Sequence, residues 1–74
     1  MIDEANAMAQ LFGNDEKSMR EYLHTARVWS VFEINKIIKM ALVIHMRCEL
    51  QVKYADNEMA LDLIGFIDCS LNAK

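Results

Sequence analysis

The chain has 74 residues, a formal net charge of −3, no proline and two glycines, and 54% of its side chains are apolar. That length is one domain, residues 1–74, and the scarcity of glycine and proline suits helices better than turn-rich β-folds. The acidic balance argues against a dedicated nucleic-acid binder, and two cysteines do not make a disulfide framework.

The apolar content exceeds the roughly 45–50% of ordinary globular chains, a figure that includes glycine. A domain this short buries only about 60% of its unfolded surface. The excess predicts a second copy or a partner. The charges are uneven: residues 1–16 sum to −4, residues 17–53 to +4 and residues 54–74 to −3. Acidic ends around a basic middle suit packing of ends on middle.

Residues 2–12 read as a short helix. Asp3 and Glu4 stand at its start, where the macrodipole favours acid, and Gly13 suits the position just past its end. Asp3 and Glu4 also stand where a secretory leader would carry its basic start. The greasiest stretch, Ile37 to Met46, contains Lys39 and His45 and falls far short of a membrane span. A cytoplasmic location is expected, with no membrane partner.

Asn14 or Asp15 can cap the next helix. From there one apolar stripe runs Met19, Tyr22, Leu23, Ala26, Trp29, Ile37, Met40, Ala41, Ile44, Cys48 in steps that hold helical phase, with Ser30 and Glu33 interrupting it. This predicts one long central helix, with any break near Asn35 or within 44–54. From Val28 onward a second apolar set, Val31, Ile38, Leu42 and Met46, occupies the other side. A helix apolar on two sides is sandwiched between neighbours. Residues 44–54 alternate strictly between apolar and polar, the pattern of a half-buried strand, so an α+β fold with a strand at 44–54 competes with the all-helical reading.

Ala55-Asp56-Asn57 signals a turn, and Asp56 or Asn57 can cap a last helix. Met59, Ala60, Leu63, Ile64, Phe66, Ile67 and Leu71 form one wide apolar face of that helix. The expected fold is all-α: a short helix, a long central helix and an amphipathic C-terminal helix, forming a hairpin or small bundle that oligomerises.

Lys17, Arg20, His24 and Arg27 share one polar face of the second helix. Such ladders are ordinarily solvated, but this one can also grip phosphates or an acidic partner. Trp29, Val31, Ile38, Leu42 and Met46 are the candidate oligomer interface. Trp29 with Tyr22 and Phe32 supplies aromatic anchors of the kind interfaces use, and six methionines suit an adaptable apolar surface. His45, Cys48 and Cys69 could share a metal only with a fourth ligand that the sequence does not offer; no metal and no cofactor is expected. No nucleophile, zinc-protease or nucleotide-loop motif is present, so the chain is not expected to be an enzyme. The expected function is a small regulatory or adaptor protein that binds another macromolecule, in the style of phage or mobile-element modulators of host proteins. The competing expectation is a module that binds an anionic ligand or nucleic acid through the basic ladder.

Overall fold

A helix starts where side chains take up its orphan amides, and this chain supplies such caps at three places. Asp15 accepts from the Ser18 amide at 3.2 Å and from the Ser18 hydroxyl at 2.7 Å. The Ser30 hydroxyl accepts from the Glu33 amide at 3.1 Å while the Glu33 carboxylate accepts from the Ser30 amide at 3.2 Å. The Asn57 side chain accepts from the Ala60 amide at 3.1 Å. The computed structural model, which describes residues 2–72, accordingly shows four helices: α1 Ile2–Phe12, α2 Glu16–Ala26, α3 Val31–Lys53 and α4 Glu58–Asn72. No strand occurs among the described residues.

The all-helical expectation holds, and the central element differs in one respect. It is two helices, α2 and α3, separated at Arg27–Ser30; Asn35 lies inside α3. Ser30 and Glu33, which break the apolar stripe, are the two halves of a capping box. They end one helix and begin another. Arg27 leaves helical geometry, at φ −167° and ψ 176°. The competing strand at 44–54 is overturned: α3 runs unbroken through Lys53. A strand needs a paired edge to satisfy its amides, and no second strand is present among the described residues.

α1 ends at Gly13, whose φ of +63° is the left-handed conformation that glycine adopts without cost. Its amide donates to the Ala9 carbonyl at 2.9 Å. The turn sends α2 back along α3. Ala5, Met8 and Ala9 of α1 and Met19 and Leu23 of α2 close on Ile34, Ile37, Ile38, Ala41 and Ile44 of α3, all buried. Small Ala5, Ala9 and Ala41 let the helix axes approach, since interaxial distance follows the side chains at the contact. Ala60, Ile64 and Ile67 form the buried row of α4, and Leu71 packs against the main core.

α4 and α3 form an antiparallel hairpin joined through 54–57 and clasped by Arg47. Its guanidinium donates to both carboxylate oxygens of Asp68, at 2.6 and 3.2 Å. The molecule is a slab, 41 × 25 × 14 Å. A helix is about 5 Å across at its Cα atoms and packed axes stand about 8–10 Å apart, so a backbone this thin holds two helix layers, with one interior and two broad outer faces. No helix among the described residues is long and apolar enough to cross a membrane.

Candidate binding interface

The basic ladder is only partly assembled. Lys17, Arg20 and His24 lie on α2, but Arg27 falls beyond its last residue. There its guanidinium stacks over the Trp29 ring, 3.5 Å from the centroid, a cation–π contact. Arg20 is held by the chain itself, donating to the Asn35 side chain at 2.9 Å and to Glu16 at 3.4 Å. Lys17 and His24 remain exposed. The aromatic pairing also shifts: Tyr22 meets Phe12 at 5.7 Å between centroids, and Phe32 points away, 73% exposed.

The candidate interface residues separate. Ile38 is a correction: it is 2% exposed and belongs to the chain's own core. The break at 27–30 turns α2 back onto α3, so the side of α3 that carries Ile38 is covered from within. Trp29 is half-buried against the same core. Val31 and Met46 are exposed and Leu42 is partly so.

His45 is engaged with Glu49, Nε2 to Oε1 at 2.6 Å. Lys53 reaches the same carboxylate at 3.0 Å and is the main reason that it is held below the usual carboxylate range. Cys48 and Cys69 are free and exposed. No group of three or more metal-ligating side chains comes together among the described residues.

What the structure does assemble is an apolar face on α3 and α4. The expected wide face of α4 divides in two: Ala60, Ile64 and Ile67 are buried, whereas Met59, Leu63 and Phe66 are 75%, 51% and 71% exposed. At about 100° per residue the two rows stand roughly a right angle apart. Asp68 lies on the opposite side of the buried row from Met59, Leu63 and Phe66. The Arg47–Asp68 pair therefore marks one edge of the α3/α4 seam, and these three residues mark the other.

On α3 the matching edge carries Met46 and Leu50. The alternation in 44–54 places them there. Wound on a helix, a period-2 pattern steps by about 200°, so Ile44 and Cys48 fall on one side and Met46 and Leu50 on the other. The edge continues towards the start of α3 through Leu42, Lys39, Asn35 and Phe32, in steps of three and four. Two open grooves meet on it at Leu42. One, of about 450 Å³, lies between α2 and α3 and is lined by Arg20, Phe32, Asn35, Lys36, Lys39 and Leu42 among others. The other, of about 360 Å³, runs past Met46 and Leu50 to Tyr54.

Sequence reasoning named Leu42, Met46 and Phe32 as candidate contact residues and missed Leu63 and Phe66 as surface residues. The available signal was the width of the α4 face, which exceeds what one neighbouring helix covers. Comparisons with protein-family models, with curated proteins and with solved structures each found no match for this chain.

Proposed function

We propose that this chain is a small non-catalytic binding protein, an adaptor or regulator that holds another macromolecule through its helical scaffold. The observation that carries this reading is the exposed apolar edge of α3 and α4. Met46, Met59, Leu63 and Phe66 are each more than half exposed and lie on one side of the seam. Soluble chains rarely leave contiguous apolar patches larger than a few hundred Å² uncovered, and larger ones mark interaction sites. Two of the four are methionines, whose unbranched, polarizable side chains repack against varied partners. The two free, exposed cysteines suit a reducing cytoplasm.

The competing module for an anionic ligand or nucleic acid has less behind it. Of its four basic residues, Arg20 and Arg27 are already occupied within the chain, and the formal net charge is −3.

The test is isolation of the tagged chain from its native cell beside a Leu63→Glu/Phe66→Glu variant. The expected result is a stoichiometric assembly with the wild-type chain that is lost with the variant, both keeping their helical circular dichroism. A wild-type chain that elutes alone as a monomer refutes the reading.

A further inference from the structure

The apolar edge has a charge pattern, and the pattern is self-complementary. On α4, Asp62 and Glu58 flank Met59, Leu63 and Phe66 on the side away from α3, by the same helical count. Neither makes an ion pair within the chain among the described residues. On α3, Lys36 and Lys39 line the groove beside Phe32 and Leu42. They too have no carboxylate partner among the described residues, although Lys36 stands 5.9 Å over the Phe32 ring. One stretch of the surface is thus acidic and apolar, and another is basic and apolar.

The helix lengths leave part of α3 beyond the reach of α4. α3 has 23 residues and α4 has 15, about 34 Å and about 22 Å at 1.5 Å per residue. With Arg47 paired to Asp68 and the turn at 54–57, α4 runs beside the second half of α3. The first half, where Phe32, Lys36 and Lys39 sit, lies outside the reach of α4 and is bordered by α2 across the groove. Counted from the Arg47–Asp68 pair, α4 reaches back to about Val43 and leaves residues 31–42 of α3, about 18 Å, beyond its end.

The surface area points the same way. The chain exposes 5402 Å², whereas a compact monomer of its 8.6 kDa exposes about 4,700 Å². The excess of about 700 Å² reflects the flat shape of the molecule, which leaves broad faces open to a partner.

We propose that the occupant of this face is a second copy of the chain. Each copy sets the Met59–Leu63–Phe66 edge of its α4, with Glu58 and Asp62, against the Phe32–Lys36–Lys39–Leu42 groove of the other. A two-fold axis makes the exchange reciprocal, the commonest arrangement for small oligomers. The proposal rests on the reading of the α3/α4 edge as a binding face and names what covers it.

The test uses light scattering at micromolar concentration on the wild-type chain, on Lys36→Glu/Lys39→Glu and on Glu58→Lys/Asp62→Lys, with circular dichroism to establish that each is folded. The wild-type chain is expected at twice 8.6 kDa. Each charge-reversed variant places like charges across both contacts and is expected to dissociate at least about tenfold more readily. An equimolar mixture of the two variants restores opposite charges at both contacts and is expected to form a one-to-one heterodimer. A monomeric wild-type chain, variants that dimerise as well as the wild type, or a mixture that stays monomeric overturns the proposal. A wild-type monomer that still holds a different protein through Phe66 overturns the dimer and leaves the binding-face reading standing. A wild-type monomer with no partner removes both.

Discussion

Replacing Ser30 by alanine separates two accounts of the central segment, because they require opposite signs. If residues 16–53 were one helix, position 30 would be helix interior, and alanine, the best helix former, would stabilise by about 0.5 kcal/mol. In the structure Ser30 is the N-cap of α3, with its hydroxyl on the Glu33 amide and its own amide on the Glu33 carboxylate. Alanine removes the hydroxyl acceptor and leaves the Glu33 amide without its partner. Loss of a serine cap costs about 0.5–2 kcal/mol, typically about 1. In a domain of this size about 1 kcal/mol lowers the melting temperature by roughly 4–8 °C. The assay is thermal and urea unfolding followed by circular dichroism, with Ser30→Asp as a control that keeps a capping oxygen. A Ser30→Ala chain that melts at or above the wild-type temperature refutes the capping argument, and with it the placement of the break at 27–30.

Ile37 is 0% exposed at the centre of the core, so Ile37→Ala should cost about 2–5 kcal/mol, comparable to the roughly 3–5 kcal/mol that a core this small supplies; loss of helical signal at 25 °C checks it. Gly13→Ala should cost about 1–2 kcal/mol through its φ of +63° alone, because the added Cβ meets the His45 ring at an ordinary 3.7 Å; urea midpoints measure the loss. Asp68→Ala should cost less than about 1 kcal/mol despite the forked geometry, since the pair is partly solvated, and unfolding of the variant reads this directly. The Glu33 carboxyl is held below its usual range chiefly by the Ser30 amide, and the Asp15 carboxyl chiefly by the Ser18 hydroxyl. A lowered folded pKa gives stability that is complete above the ordinary values of 4.5 and 3.8 and is lost as pH falls through the lowered ones; a Glu33→Gln/Asp15→Asn chain should therefore show a flatter acid limb in urea midpoints below about pH 4.5.

Much of the fold was legible because local chemistry and tertiary structure agree. Gly13 marks the end of α1, Asp15 starts α2 and Asn57 starts α4, each by a side chain or a conformation that acts within a few residues. The misreading at 27–30 came from following apolar phase across a cap. The stripe from Met19 to Cys48 holds its period across the break, so periodicity alone shows no boundary there. Ser30 and Glu33 at spacing three are the signature of a helix start, and they carry the boundary that the stripe conceals. In 44–54 the alternation was real but did not decide the backbone, because a strand needs an edge to pair with and no other strand is present among the described residues.

The candidate interface was less legible, and the reason lies in what an α-helix can hide from one side. The apolar face of α4, leaving out Leu61, spans about 160° of its circumference, whereas the stripe a helix turns to its core is often little more than 100° wide. Residue spacing therefore indicates that one edge of α4 stays bare, but not which edge. That depends on where α3 lies, and the Arg47–Asp68 pair, 21 residues apart in the chain, settles it. Ile38 illustrates the converse. It shares a side of α3 with Leu42 and Met46, and as part of one long helix it would be as open as they are. Once Ser30 breaks that helix, α2 folds back and covers Ile38 while Met46, two turns further on, stays beyond its reach. A single capping box thus determines which part of the doubly apolar segment becomes core and which part stays exposed.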